Sequence, residues 1–201
     1  MNIAGHQTLF APRYDAEIEY LESTGTQWID TGIPKANTAI KAKILSNENA
    51  SSKVFFGMGG TISSATRRFA VQWNNGTIYP YAGTGITSHI SCSKNVWHIM
   101  ELYSSGRFVL DENEIQIDGA GAFSSNWNIY LFTRNWNGTS QTDVGASFKL
   151  SSVKLYQDDI LVFDGVPVRK NSVGFLFDKV SKRLFGNKGT GSFTLGPDIT
   201  A

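Results

Sequence analysis

Arg68-Phe-Ala-Val-Gln-Trp-Asn-Asn-Gly-Thr-Ile-Tyr-Pro-Tyr81 decides the fold class. Phe69, Val71 and Trp73 alternate with Arg68, Ala70, Gln72 and Asn74, the period of two that gives a strand one apolar face. Asn75-Gly76 follows, a pair that relaxes into the positive-φ geometry of a tight hairpin. Residues 77–81 then read as the returning strand. Two extended runs joined this sharply make antiparallel sheet.

The same pattern recurs along the chain. A second hairpin is expected over 96–103 and 107–110 through Ser104-Ser105-Gly106, turning again at 111–113 into 114–117. Further strands are expected at 18–21, 28–31, 39–45, 54–58, 127–133, 147–156, 160–168 and 174–177. No stretch carries apolar residues at three- and four-residue spacing for three turns; one helical turn is foreseen near 140–145. About a dozen short strands predict an all-β, two-sheet antiparallel sandwich. The long returning connections favour a jelly roll over a meander. Gly57-Met-Gly-Gly60 lacks the lysine and helix of a phosphate loop and reads as a bend. Pro34, Pro80 and Pro167 fall at strand ends. One domain is expected over 15–201, preceded by an arm or leader over 1–14.

Composition narrows the function classes. A mass of 22.1 kDa implies about 9,000 Å² of folded surface against about 32,000 Å² extended, enough for a full core without staples. The 18 basic and 17 acidic residues leave a net charge of +1, and neither sign forms a block. Nucleic acid, which demands a concentrated basic face, is excluded as an expected partner. Arg67-Arg68 and the basic residues of 179–188 read as solvated turns and strand ends. Apolar runs are too short to span a bilayer, so no membrane partner is expected. Cys92 stands alone, which rules out an intrachain disulfide and a cysteine-based metal site. Residues 1–14 show no basic stretch followed by an apolar one, so the expectation is a protein made in a bacterial cytoplasm without a leader.

Both ends of the chain carry recognisable segments. The opening reads Ile18-Glu-Tyr-Leu-Glu-Ser-Thr-Gly-Thr-Gln-Trp-Ile-Asp-Thr-Gly-Ile33. The close reads Phe163-Asp-Gly-Val-Pro-Val-Arg-Lys170, then Val173-Gly-Phe-Leu-Phe-Asp-Lys-Val180, then Leu184-Phe-Gly-Asn-Lys-Gly-Thr-Gly-Ser-Phe193. Over roughly 16–196 the chain resembles the small concanavalin A-like, laminin-G-like jelly-roll domains of phage and prophage tail proteins and gut-bacterial surface proteins. The resemblance implies carbohydrate binding, adhesion or virion architecture. The end motifs also have a structural reading, because first and last strands must pair to close the sheet and Gly189-Thr-Gly191 supplies the turn before Phe193.

Glycoside hydrolysis needs two carboxylates at a fixed separation. Glu114, Gln116 and Asp118 share a strand face, but an amide stands where the resembled enzymes carry an acid, so a solvated outer strand is expected. His6, His89 and His98 lack any paired ligand spacing. A loop-bound structural calcium is the one cofactor the resemblance allows, with Asn135, Asn137, Asp143, Asp158 and Asp159 as the available oxygens. Asn49-Ala-Ser51, Asn75-Gly-Thr77 and Asn137-Gly-Thr139 fit the glycosylation sequon but read as turns.

Sugar sites pair a stacking aromatic ring with amide, carboxylate or guanidinium partners. Arg134, Asn135, Trp136 and Asn137, in an expected loop after the 127–133 strand, carry that chemistry. Trp73, Asn74 and Tyr81 form a second patch, although Trp73, Trp97 and Trp127 equally suit a sandwich core. Trp136, with polar neighbours only, is expected to be an exposed contact residue. These readings predict a non-catalytic, lectin-like module on a virion, contacting a glycan or host receptor and other virion proteins, with a homotrimer as an option. A glycoside hydrolase or lyase on the same fold, and a bacterial surface adhesin, are the alternatives.

Overall fold

The computed structural model describes residues 13–84 and 88–199. Of the arm expected over 1–14, residues 1–12 lie outside that description, and Tyr14 already packs on Phe177 at 5.0 Å between ring centres. In chain order the strands are β1 (Ala16–Glu17), β2 (Leu21–Thr24), β3 (Ile29–Pro34), β4 (Thr38–Ser46), β5 (Lys53–Ile62), β6 (Ala65–Trp73) and β7 (Thr77–Gly83). They continue as β8 (Ile90–Ser91), β9 (Trp97–Tyr103), β10 (Arg107–Leu110), β11 (Asn113–Gln116), β12 (Asn128–Leu131), β13 (Asn135–Trp136) and β14 (Thr139–Ser140). The last are β15 (Ser147–Gln157), β16 (Ile160–Lys170), β17 (Val173–Asp178), β18 (Arg183–Gly186) and β19 (Thr194–Leu195). A 3₁₀ turn, Thr142–Val144, falls where one helical turn was expected.

These strands form two sheets packed face to face, the expected jelly-roll sandwich. The large sheet runs β11-β10-β9-β4-β15-β16-β17-β18. β15 is its axis: one edge pairs β4 along its whole length, and the other is shared by β2 and β16. The small sheet runs β8-β7-β6-β5, and beyond β5 the edge is divided between β12 and the β13–β14 pair. β13 runs parallel to β5, an exception to the otherwise antiparallel pairing of the named strands.

The two hairpins form as read. Asn74 and Thr77 exchange backbone hydrogen bonds of 2.8 and 3.2 Å around Asn75-Gly76, whose φ angles of 45° and 91° are those of the expected tight turn. The chain ends also pair: Leu195 lies opposite Leu21, and Ile18 bridges to Asp198. Two expectations are corrected. Pro80 and Pro167 lie within β7 and β16, not at strand ends. Gly57 to Gly60 is not a bend but the interior of β5, which runs on to a turn at Ser63-Ser64. The glycines are there because other groups cover them: a Cβ on Gly57 would meet that of Ala70 at 2.4 Å.

Alternation decides which side chains fill the space between the sheets. Phe69, Val71 and Trp73 point inward from β6, and Ile40, Ala42 and Ile44 from β4, all essentially inaccessible to solvent. Lys35 is an unusual tenant at 2% exposure. Its ammonium donates to the carbonyls of Ala36 and Phe123 and to Ser104 Oγ, and it lies over the rings of Phe69 and Phe123 at 4.9 and 4.6 Å.

Burial pulls the Lys35 pKa down to about 8. From there to about pH 10.5 the unfolded chain holds the extra proton, so stability rises with pH in that window. Guanidinium titrations are expected to give the wild type about 0.8 kcal/mol more stability at pH 8.5 than at pH 7 from this group. Lys35→Met should lack that increment and lose about 2–4 kcal/mol outright, since three buried acceptors lose their donor. The Cys92 thiol, pushed up to about 12 by burial and then by Asp111, acts in the opposite sense from about pH 9 upward, so the comparison stops at 8.5. A pH-independent wild type would contradict this account of Lys35.

Candidate functional site

The outer face of the small sheet gathers a cation and aromatic cluster by register alone. Trp136 on β13 pairs with Gly59 on β5, Gly59 with Arg68 on β6, and Arg68 with Gly83 on β7. Trp136 and Arg68 are therefore two strands apart, about 9.5 Å between backbones, with a bare glycine between them. A Cβ on Gly59 would lie 2.8 Å from Trp136 Cζ3, so the indole occupies the place a side chain would take. One row along β6, Ala70 pairs with Tyr81 and with Gly57, which sets Tyr81 diagonally beside Arg68.

The result is a stack of rings and guanidinium groups. Arg68 Cζ lies 4.9 Å from the Tyr81 ring centre and 5.5 Å from that of Trp136; Arg134 Cζ lies 4.7 Å from Trp136. Such contacts contribute about 0.5–2 kcal/mol each. Tyr81 OH bonds Gln72 at 3.4 Å, and Arg134 Nε donates to Gln141 Oε1. Among the described residues, neither arginine joins an ion pair. Burial, and then the like charge of Arg68, hold the Arg134 guanidinium below its ordinary pKa; Tyr81 and Asp143 act weakly the other way. Arg68 Nε is shielded from solvent and has no acceptor, a state costing about 1–3 kcal/mol when unrelieved.

The structure brings four of the seven sequence-predicted contact residues into this area and sets three elsewhere. Trp136 and Arg134 are at its centre, Tyr81 forms its floor at 6% exposure, and Asn137 stands at its edge, where Oδ1 accepts from Thr61 N at 2.9 Å. Trp136 itself is corrected: it is half-buried in a strand, not exposed in a loop. Trp73 is fully buried between the sheets, its indole donating to the Glu48 carbonyl; it is core, not contact surface. Asn135 is 2% exposed and turned inward, donating to the Asn128 carbonyl. Asn74 lies six residues from Arg68 along β6, about 20 Å away at strand rise.

Arg68, expected at a solvated strand end and not counted among the contact residues, belongs to the cluster. It lies inside β6, and its alternation with Phe69 and Val71 was the available signal for the outer face. The oxygens considered for calcium are also dispersed. Asp143 precedes β15 and Asp158-Asp159 follow it, about 36 Å apart along an eleven-residue strand. Among the described residues, no three His, Cys, Asp or Glu side chains cluster to hold a metal.

Hollows are found on other surfaces, one of 290 Å³ being lined by Asp30, Arg183, Phe185 and Lys188. On the outer face of the large sheet, hollows of 240, 280 and 160 Å³ adjoin one another, sharing Lys41, Ala39, Tyr103, Tyr156 and Asp159. Three cations of this face are paired, Lys41 with Glu101 at 2.6 Å, Lys154 with Asp164 at 3.8 Å and Arg107 with Glu114 at 2.9 Å, while Lys43 and Lys149 lie over the rings of Trp97 and Tyr20 at 5.5 and 4.3 Å. At the rim, a 470 Å³ hollow is lined by Thr26, Trp28, Ser140, Asp143, Lys188 and Thr190. Glu114 and Gln116 lie exposed on the edge strand β11, and His98 is buried between Asp111 at 2.7 Å and the Ser93 carbonyl at 2.9 Å.

No protein-family model matches the chain, and no curated protein matches it. Among solved structures, the chain is similar to a "putative carbohydrate binding protein" from Bacteroides ovatus ATCC 8483, with a TM-score of 0.52 at 10% identity. The match covers 92% of this chain and 61% of that one. At this identity the likeness establishes a shared fold.

Gly59→Ala is expected to force the indole off its seat, lowering stability by about 1–3 kcal/mol and altering the tryptophan near-UV circular dichroism. Gly121→Ala, at a position with nothing within 4 Å, should stay within about 0.5 kcal/mol. Equal behaviour of the two variants would show that Gly59 does not seat Trp136.

Proposed function

We propose that this domain is a non-catalytic, lectin-like carbohydrate-binding module whose contact surface is the outer face of the small sheet around Trp136. One observation carries the reading: a half-buried indole has two guanidinium carbons within 5.5 Å of its ring centre, and among the described residues neither guanidinium takes part in an ion pair. A sugar ring offers an apolar face to indole and hydroxyls to guanidinium and amide groups. The Bacteroides ovatus protein, named for carbohydrate binding, supports the reading through the common sandwich.

The carboxylate arrangement favours binding over hydrolysis. Glu114 is tied to Arg107 on an edge strand of the large sheet, away from the indole on the small one. Placement on a virion, with a host-surface glycan and other virion proteins as partners, rests on the resemblance of the two chain ends. A bacterial surface adhesin would use the same contact face.

A glycan array on the purified domain, run with and without calcium, tests the proposal. Binding is expected in both conditions with no release of reducing ends. Trp136→Ala is expected to weaken it at least tenfold, while half-burial of the ring makes a stability loss of about 1–2 kcal/mol the expected side effect. Unchanged binding by a folded Trp136→Ala protein would remove this face from consideration. Tyr156→Ala in the large-sheet groove is the control expected to bind normally.

A further inference from the structure

We infer that the group recognised by this site is anionic: a carboxylate or sulfate borne by an acidic sugar, gripped jointly by Arg68 and Arg134 beside Trp136. The inference rests on the carbohydrate-binding reading above and adds the charge class of the sugar. Both guanidinium carbons lie within 5.5 Å of one ring centre, so they are no farther apart than twice that distance. Two like charges around one half-buried ring repel each other, and an anion placed between them offsets that repulsion.

Among the described residues the protein supplies no such anion: neither arginine appears in an ion pair, although both lie around one ring. Asp143 influences Arg134 only from beyond ion-pair distance. Arg134 is steadied by Gln141, a neutral side chain that leaves its charge uncompensated. Arg68 has no hydrogen-bond acceptor at its buried Nε. A net charge of +1 makes this a local concentration of positive charge and not part of a generally basic surface.

Geometry selects the ligand chemistry. A guanidinium fork matches the planar carboxylate, and sulfate oxygens equally, through paired N–H donors. Trp136 adds a ring for the apolar face of the pyranose that carries the acid. Gln72 and Asn137 supply amides within the same face for hydroxyl groups. Arginine with aromatic rings also suits single-stranded nucleic acid, but that mode tracks a backbone along a basic groove, and the charge here is confined to two residues.

The test measures binding by isothermal titration calorimetry with matched probes. An octamer of galacturonate is compared with its methyl ester, and a sulfated dextran oligosaccharide with unsulfated dextran; decathymidylate is the nucleic-acid arm. The wild type is expected to prefer at least one acidic probe over its neutral counterpart at least tenfold. Arg68→Gln and Arg134→Gln should each remove most of that preference. The carboxylate and sulfate arms reveal which acid is used. Arg68→Lys, which keeps the charge without the fork, should fold and bind weakly, so a folding defect in Arg68→Gln leaves the result readable. Equal affinity for acid and neutral probes, or a preference untouched by either arginine variant, overturns the inference. If a neutral glycan then still binds in a Trp136-dependent way, the carbohydrate reading survives without it. If no carbohydrate binds, both fail. Decathymidylate binding tighter than either acidic sugar also overturns it.

Discussion

Trp73, Phe55, Phe148, Phe132 and Phe193 form one continuous run of ring contacts, with centres 5.8, 4.8, 4.6 and 4.9 Å apart in that order. The run joins β6 and β5 of the small sheet to β15 of the large one, then reaches the reversal after β12 and the closing segment of the chain. Truncating any such ring to alanine costs about 3–5 kcal/mol in a well-packed core. That magnitude governs what happens at Phe132, whose φ of 69° is left-handed and unusual for an aromatic residue. The strain there is about 1–3 kcal/mol, less than the packing that holds it. Backbone bonds fix the corner as well: Phe132 N donates to the Phe55 carbonyl at 2.6 Å, and Ala146 N donates to the Phe132 carbonyl at 3.1 Å.

The corner is what makes the outer face possible. Chain direction flips at 132–134, so β13 returns parallel to β5 and wedges beside it, bringing Trp136 opposite Gly59. Had β12 continued straight, the indole would have passed beyond the sheet edge. Core packing thus sets the position of a surface ring through one strained residue. The two outer faces of the sandwich then diverge in electrostatic character. On the large sheet, Lys41, Arg107 and Lys154 pair with acids across strands, Lys43 and Lys149 lie over rings, and shallow hollows remain between them. On the small sheet, glycines at 57, 59 and 83 remove the intervening side chains, and the guanidinium groups lie down over rings instead. Absence of side chains, not presence of a groove, builds that surface.

Much of the fold was legible because it depends on local rules. Alternation around Phe69, Val71 and Trp73 and the Asn75-Gly76 turn are properties of neighbouring residues, and both appear in place. Pairing of the chain ends was legible from their motifs. The site was only half legible. Arg134 and Trp136 carry binding chemistry on their face, but alternation assigns Trp136 no direction in so short a strand, and the two-residue β13 cannot be seen without its parallel partner. Trp73 and Asn135 show the converse: chemistry suited to a sugar, used instead in the interior. Arg68 was not legible as a site residue because its role comes from a cross-strand register with Gly59, whose other partner, Trp136, lies seventy-seven residues from Gly59 in sequence.

The most direct measurement is a crystal structure of the domain with a bound galacturonate oligomer. The account predicts a carboxylate within hydrogen-bonding distance of the guanidinium groups of both Arg68 and Arg134, with its pyranose against Trp136 on the outer face of the small sheet. Sugar lying along Tyr103 and Tyr156 on the opposite face, or in the rim hollow at Trp28, with both arginines unengaged, would contradict it.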